Sequence, residues 1–265
     1  MTWPIRFGPA RATTPVDVPV VAVASARLPA AFDGFRIALA ADLHLGHHVR
    51  AGYVGKLARL IASARPHLLV LGGDMLHRTV GDDHAPARLL RRLAGGRRSF
   101  AVLGNHEYAV GPDRCRRALA DAGADVLVNA HRLLGPDGSP APGGGPAVAV
   151  VGLDDYVWGR PDFPAAARGV PAGTFTVLLG HNPDLAEHVR GGPVDLMLAG
   201  HTHGGQVCPF GRPLVTYTRE KRYARGLVDG PGFPIYVSRG LGTVKLPLRM
   251  GADPELPIVT LRRSP

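Results

Sequence analysis

The sequence predicts an α/β fold, and three observations lead to this prediction. Nine short apolar runs rich in valine, isoleucine and leucine end in glycine or a polar cluster, as strands buried on both faces do. Amphipathic stretches fall between the early runs, so strand and helix alternate as in parallel βαβ units. The chain has 265 residues, of which 45% are hydrophobic, which is enough to bury a large core.

The elements follow from the spacing of apolar residues along the chain. Strands are predicted at 35–41, 67–73, 99–104, 125–135, 147–153, 174–180, 194–200, 234–240 and 256–263. Helices are predicted at 51–65, 85–94, 112–123 and 183–190. Residues 18–26 predict an edge strand within a lead-in segment, 1–34. Because the later strands come in quick succession, we expect an antiparallel second sheet.

We expect one domain that spans residues 1–265. The segment GPDGSPAPGGGP at 135–146 is of low complexity and joins two strand-like runs. We interpret it as a long flexible hairpin loop and not as a linker between domains.

Composition and charge limit the classes of partner and compartment. No apolar run approaches the ~20 residues that span a bilayer, and Cys115 and Cys208 form no disulfide framework. The formal net charge of +10 indicates either a soluble protein with an arginine-coated surface or a protein that binds an anionic partner. The basic residues are not interleaved with aromatic residues as in single-strand binders, which disfavours nucleic acid. We expect a cytoplasmic protein, with peripheral membrane contact and export as alternatives.

Polar side chains follow five of the predicted strands, at the edge where ligands bind in α/β sheets. They are Asp42, His44, Asp74, Asn105, His106, His181, His201 and His203. Each alone has a structural explanation, such as a turn cap, but five repetitions at one edge indicate a metal site. Asp, His and Asn suit Mn, Fe or Zn. The number of ligands predicts two divalent ions that share a carboxylate, which is an arrangement that acts on phosphate esters.

The ordered motifs D-x-H, G-D, G-N-H-E, G-H and G-H-x-H resemble those of the calcineurin-like metallophosphoesterase family over residues 42–203. The resemblance implies a four-layer α/β/β/α sandwich of two mixed sheets flanked by helices, with a dinuclear metal centre. The implied ligands are Asp42, His44 and His203 for one ion, Asn105, His181 and His201 for the other, and Asp74 for both.

The same resemblance implies that His106 is a catalytic residue beside the leaving-group oxygen, oriented by Asp42. Three residues next to the motifs, His47, His77 and Arg78, are candidates for substrate contact, with a solvated loop role as the alternative. Protein phosphatase activity is disfavoured because Leu103 precedes G-N-H-E where those enzymes have arginine. In addition, His77 replaces the second aspartate of their G-D motif.

The segments GGQVCPFGRP and 236–261 are similar to a bacterial branch of the family, the YkuE- or YaeI-like phosphoesterases. Members of this branch are often membrane-tethered, and the branch is related to hydrolases of UDP-2,3-diacylglucosamine. We therefore expect a metal-dependent phosphoesterase that hydrolyses a phosphodiester or pyrophosphate of a small molecule or lipid head group, without an obligate protein partner. The alternatives are a non-catalytic scaffold that binds a membrane or protein, and a nuclease or cyclic-nucleotide phosphodiesterase.

Overall fold

The computed structural model of the chain describes residues 5–11, 13–77, 85–141 and 145–264. The strands are β1 (Ile5–Phe7), β2 (Val20–Ser25), β3 (Arg36–Ala40), β4 (Leu68–Leu71), β5 (Ser99–Ala101), β6 (Asp125–Val126), β7 (Ala130–Leu134), β8 (Val148–Gly152), β9 (Phe175–Leu179), β10 (Leu196–Ala199), β11 (Gly226–Asp229), β12 (Pro234–Val237), β13 (Leu248–Met250) and β14 (Ile258–Arg263). The helices are α1 (Ala51–Ala64), α2 (Ala85–Ala94), α3 (Asn105–Val110), α4 (Pro112–Asp121), α5 (Phe163–Ala166) and α6 (Leu185–His188).

Most strands belong to two mixed sheets of six strands each. The first has the order β2-β14-β3-β4-β5-β6, in which β3 to β6 run parallel and β14 is antiparallel to β3. The second has the order β11-β12-β10-β9-β8-β7. The position of β2 at the edge of the first sheet confirms the predicted edge strand. A two-stranded ribbon of β1 and β13 was not predicted.

The expectation of an antiparallel second sheet is wrong for its centre. Strands β8, β9, β10 and β12 run parallel, and only the outer pairs β7–β8 and β11–β12 are antiparallel. Parallel neighbours need a crossover connection. Here the crossovers after β8 and β9 contain α5 and α6, which have four residues each. Such short helices leave little periodicity in the sequence, and the predicted helix at 183–190 is correspondingly reduced to Leu185–His188.

The alternation of side chains on each strand produces four layers. On β3, Ile37 and Leu39 enter a core between the sheets, which also contains Val150 and Val177 of the second sheet. Alternate residues of β3 pack outward with α1, α2 and α4. The outer face of the second sheet packs against α5 and α6 in a third cluster, which includes Leu178. The implied α/β/β/α sandwich is therefore confirmed.

Helix α1 forms and ends as its sequence predicts. Val54, Leu57 and Ile61 are fully buried on one stripe. The helix closes with Arg65 in the left-handed conformation, whose N–H donates to the carbonyl of Ile61. Pro66 follows and prevents continuation. This cap places β4 immediately after the helix, parallel to β3.

The predicted strand at 125–135 is in fact two strands in different sheets. Strand β6 is the last strand of the first sheet, whereas β7 is an edge strand of the second. Between them Asn129 has a φ of 49°, and its amide donates to the carbonyl of Arg160 at 2.8 Å. A turn within the apolar run therefore carries the chain from one sheet to the other. Strands β7 and β8 pair antiparallel across 135–146, as a hairpin does. Residues 142–144 of this loop lie outside the described residues, and its flexibility stays a prediction.

In the described ranges, the helices are all too short or too polar to cross a lipid bilayer.

Candidate metal centre

The strand-end residues converge at one edge of the molecule. Parallel strands β3, β4 and β5 of the first sheet and β9 and β10 of the second all end there. The ligand candidates Asp42, His44, Asp74, His181 and His203 are buried. Both sheets therefore contribute side chains to one site, as the carboxyl ends of parallel strands allow.

Five of the seven predicted ligands have left-handed backbone, with φ between 51° and 72°. They are Asp42, His44, Asp74, His201 and His203. This conformation costs a residue with a side chain roughly 1–2 kcal/mol. Such strain persists only where surrounding structure imposes it, and it clusters at functional sites. The loops after the strands are thus shaped to aim these side chains inward.

The first ligand group consists of Asp42, His44 and His203. Nε2 of His44 lies 3.0 Å from Nε2 of His203, which in turn lies 3.5 Å from Oδ1 of Asp42. Burial lowers the pKa of His44 and the pKa of His203 well below the usual value. Both imidazoles are therefore neutral, which is the form that binds a metal ion.

The second ligand group consists of Asp74, His181, His201 and Asn105. Nε2 of His181 lies 3.2 Å from Oδ2 of Asp74, and Nδ1 of His201 lies 3.0 Å from Oδ1 of Asn105. His181 donates from Nδ1 to the carbonyl of Gly72 at 2.8 Å. This hydrogen bond orients the ring and leaves Nε2 facing the carboxylates, as in a histidine that binds metal.

The donor set fits two divalent ions. Among the described residues, Nε2 of His181 is buried without a hydrogen-bond partner. The potential ligand atoms of Asp42, His44 and His203 lie within 4.8 Å of one another, as do those of Asp74, His181 and His201. Oδ1 of Asp42 is 3.9 Å from His181 Nε2, and Oδ2 of Asp74 is 3.9 Å from His44 Nε2. Each carboxylate therefore lies close to both groups. This position suits Asp74 as a ligand of both ions, and Asp42 lies in an equivalent position.

The buried carboxylates at the site favour the binding of cations. Burial raises the pKa of Asp42 to about 7, although His181 opposes the rise. Burial also raises the pKa of Asp74, but His181 is the main group that opposes this rise, and the pKa is lowered overall. For His181, burial is outweighed by Asp74 and Asp42, so its pKa is raised. Without metal, a proton on His181 supplies the positive charge between the two carboxylates, which a metal ion would displace.

Two glycines are required because the ligand loops approach closely. A Cβ at Gly104 would lie 2.3 Å from Oδ1 of Asp74 and 2.7 Å from Cδ2 of His181. A Cβ at Gly200 would lie 2.6 Å from Oδ2 of Asp42. The glycines before Asn105 and His201 therefore give the carboxylates the space that they occupy.

Glu107 is a buried functional residue that sequence reasoning left unassigned. Its Oε2 accepts the N–H groups of Asp74 and Gly104 at 2.8 Å each, and its Oε1 accepts that of Leu76 at 2.8 Å. Burial and the charge of Asp74 raise the pKa of Glu107 to about 8, while the backbone donors oppose this rise. The signal in the sequence was its place in the first turn of α3, where an N3 glutamate accepts the backbone N–H of the N-cap residue.

Arg249 is a second residue that the sequence did not single out. Its buried guanidinium donates to the carbonyls of Gly242 at 2.6 Å, Arg239 at 2.8 Å and Ala252 at 2.8 Å, and Nη2 lies 3.4 Å from Nδ1 of His203. Burial lowers its pKa to about 10. It ties the C-terminal loops to the metal site. Nothing in the sequence distinguishes it from the many surface arginines.

His106 lines the cavity above the ligands. Its side chain is 24% exposed, and its Nε2 lies 3.9 Å from Oδ2 of Asp74. Its backbone N–H donates to Oδ1 of Asp74 at 2.8 Å. Its ring stacks on His77, with centroids 4.5 Å apart. The expected orientation of His106 by Asp42 gains no support from these contacts, which point to Asp74 instead.

Two of the three candidates for substrate contact, His47 and His77, lie beside the first ligand group. Nδ1 of His77 is 3.1 Å from Nδ1 of His44, and the ring of His77 stacks on His47 with centroids 4.1 Å apart. His77 also stacks on His106, and the potential ligand atoms of His44, His77 and His106 lie within 4.8 Å of one another. The site cavity of about 180 Å³ is lined by Asp74, Asn105, His106, His201, His203, Tyr217, Val244 and Lys245. Arg78 lies outside the described residues, and substrate contact by His47 and His77 stays a prediction.

The chain is similar to two bacterial proteins along most of its length. It is 33% identical to the metallophosphoesterase YkuE of Bacillus subtilis over 247 residues, which cover 91% of this chain and 84% of that protein. It is 33% identical to the phosphodiesterase YaeI of Escherichia coli over 233 residues, which cover 86% of this chain and 82% of that protein.

The fold and the sequence motifs agree with these similarities. The structure matches the NAD nucleotidase of Haemophilus influenzae with a TM-score of 0.51 and 18% identity, over 78% of this chain and 45% of that longer chain. This likeness concerns the fold alone. Residues 35–205, which include all seven candidate ligands, match the calcineurin-like phosphoesterase family. The chain therefore belongs to the calcineurin-like phosphoesterase family and is a hydrolase acting on phosphoesters.

Proposed function

We propose that this protein is a dinuclear-metal-dependent phosphodiesterase that hydrolyses a phosphodiester or pyrophosphate of a small molecule or lipid head group. The observation that carries the proposal is the convergence of two ligand groups on Asp42 and Asp74. One ion would be held by Asp42, His44 and His203, and the other by Asn105, His181 and His201, with Asp74 shared between them. The donors suit Mn, Fe or Zn.

When bound, the two ions supply Lewis-acid chemistry, which lowers the pKa of water and neutralises charge on the phosphoryl oxygens. The protein contributes the positions of the ligands and a proton donor. Glu107 holds the backbone of Asp74 and Gly104 in place. The walls of the cavity limit access of bulk water to the buried ligand atoms.

His106 is the residue that we propose to act on the leaving group. Its imidazole lines the cavity without belonging to either ligand group, and its exposed fraction allows contact with substrate. A proton on Nε2 of His106 would pass to the departing ester oxygen. General acid catalysis of this kind contributes roughly 10²–10⁴-fold.

A scaffold function without catalysis is disfavoured because all seven proposed ligands are present in the chain. Nuclease activity has no specific support from the described surface.

A direct test compares bis-p-nitrophenyl phosphate with p-nitrophenyl phosphate as substrates of the Mn²⁺-loaded protein. The proposal expects release of p-nitrophenolate from the diester, loss of release with chelator, and a smaller kcat/KM for the monoester. Diester hydrolysis that chelator leaves unchanged would contradict it.

A further inference from the structure

An apolar groove opens beside the candidate metal centre. Its cavity of about 210 Å³ is lined mainly by Val207, Leu214, Val215, Tyr217, Val244 and Leu246. Four residues line both this groove and the cavity over the metal ligands: His203, Tyr217, Val244 and Lys245. The two spaces therefore share a wall. A molecule whose phosphate lies at the metal ligands would reach the groove across these four residues.

Lys245 marks the boundary between the two spaces. Its ammonium donates to the hydroxyl of Tyr217 at 3.1 Å and lies 5.1 Å from the centroid of that ring. On one side are the groups that bind a phosphate, to which an ammonium is attracted. On the other side the lining is mainly aliphatic. This order of charge and apolar surface matches a ligand with an anionic head and an apolar tail.

The walls of the groove are held in place by Gln206. Its side-chain amide donates to the carbonyls of Val244 at 3.1 Å and Leu246 at 3.3 Å, and its oxygen accepts the N–H of Val244 at 2.9 Å. At the boundary, Tyr217 and Lys245 have φ values of 57° and 58°. Strained backbone of this kind is typical of sites shaped for a ligand. The groove is therefore pre-formed.

The groove leaves large apolar side chains in contact with water. Leu214 is 66% exposed and Leu246 is 61% exposed, and Phe210 in the same loop region is 83% exposed. Contiguous exposed apolar surface of this kind marks an interaction site in soluble proteins. An apolar chain lying in the groove would cover part of it.

We propose that the groove binds an unbranched alkyl or acyl chain attached to the phosphoester that lies at the metal centre, so that the substrates are amphiphilic. This inference rests on the proposed phosphodiesterase function and specifies its substrate class. Each methylene taken from water into the groove strengthens binding. Full burial of a methylene is worth about 0.8 kcal/mol, which is a roughly fourfold gain in affinity. In an open groove we expect a gain of about two- to fourfold per methylene.

The experiment uses Mn²⁺-loaded protein and the methyl, butyl and hexyl esters of p-nitrophenyl phosphate, all below their critical micelle concentrations. From methyl to hexyl, kcat/KM is expected to rise by at least about 30-fold, mainly through a lower KM. In Leu246→Asp and Leu214→Asp the hexyl-to-methyl ratio is expected to fall at least about fivefold, because a charge desolvated against the chain opposes binding. Val20→Asp, which alters an exposed residue of the edge strand β2, is the matched control and is expected to keep the wild-type ratio.

Titration calorimetry with methyl phosphate and hexyl phosphate measures binding of the alkyl chain without diester hydrolysis. Tighter binding of hexyl phosphate, with a negative heat-capacity change, supports the groove even if no diester is hydrolysed. In that case the proposed function fails and the inference on the groove survives. Equal kcat/KM values for the three esters together with equal binding of the two phosphates would overturn the inference alone. A preference for the longer chain that appears only above the critical micelle concentration would also overturn the inference, and so would a preference that both aspartate variants retain.

Discussion

Glu107 lies directly behind Asp74, and one carboxylate supports the backbone of the other residue. Oε2 of Glu107 accepts the Asp74 N–H at 2.8 Å and the Gly104 N–H at the same distance. Two strand-end loops of the first sheet are joined through this single buried side chain. The position of Asp74, the proposed shared ligand, therefore depends on a residue that is not among those lining the cavity.

Glu107→Gln should destabilise the metal-free protein. The substitution keeps the size of the side chain but turns an NH₂ group toward a backbone N–H, which leaves buried donors unsatisfied. We expect the free energy of unfolding to fall by about 1–3 kcal/mol, measured by urea denaturation. Glu220→Gln, at a side chain that is 46% exposed, should change it by less than about 0.5 kcal/mol. Equal effects of the two substitutions would remove the supporting role of Glu107.

Gly104→Ala should weaken metal binding more than it weakens the fold. The added Cβ would lie 2.3 Å from Oδ1 of Asp74, so the carboxylate must move. Displaced or badly oriented ligands cost roughly 10–100-fold in metal affinity. Calorimetric titration with Mn²⁺ measures this loss. Gly135→Ala is the control, because the nearest atom to its Cβ would be Oδ1 of Asp137 at 3.3 Å, and wild-type affinity is expected.

His106→Gln should separate catalysis from metal binding. We expect kcat for a diester to fall roughly 10²–10⁴-fold while two ions per chain remain bound, because His106 is outside both ligand groups. Asp74→Asn should lose bound metal together with activity. Steady-state kinetics and elemental analysis are run on the same preparations. A similar loss of metal in both variants would show that His106 has been assigned the wrong role.

Arg249→Lys should destabilise the protein strongly. The planar guanidinium donates to several buried carbonyls, including those of Gly242 and Ala252, and a single ammonium cannot reproduce that fork. The unsatisfied carbonyls are expected to cost about 3 kcal/mol or more in unfolding free energy. Arg262→Lys, at a side chain that is 53% exposed, should cost less than about 0.5 kcal/mol. Thermal and urea unfolding that leave both variants alike would contradict this account of Arg249.

The predicted ligands could be found in the sequence because each follows a buried parallel strand. Such strands are readable as short apolar runs, and their ends meet at one edge of a sheet, so Asp42 and His201 come together although 159 positions separate them. The contribution of both sheets to one site followed from the resemblance to a family. Residue-by-residue reasoning alone does not indicate which sheet faces which.

Other features were not readable because they arise only after folding. Arg249 gains its role from carbonyls of loops that are brought together by the tertiary structure. The parallel centre of the second sheet was missed because α5 and α6 have four residues each. The change of sheet at Asn129 was missed because an apolar run with one turn residue has the pattern of a single strand. The contact of His106 with Asp74 depends on the close approach of two loops.

We propose that two metal ions share the buried carboxylate of Asp74 at the strand ends. Elemental analysis of Mn²⁺-reconstituted protein, combined with anomalous scattering from crystals of it, measures how many ions bind and where they lie. We predict two ions per chain, about 3.5–4 Å apart, with Asp74 between them and neither ion in Asp74→Asn. An empty cavity, or a single ion that does not contact Asp74, would contradict the account.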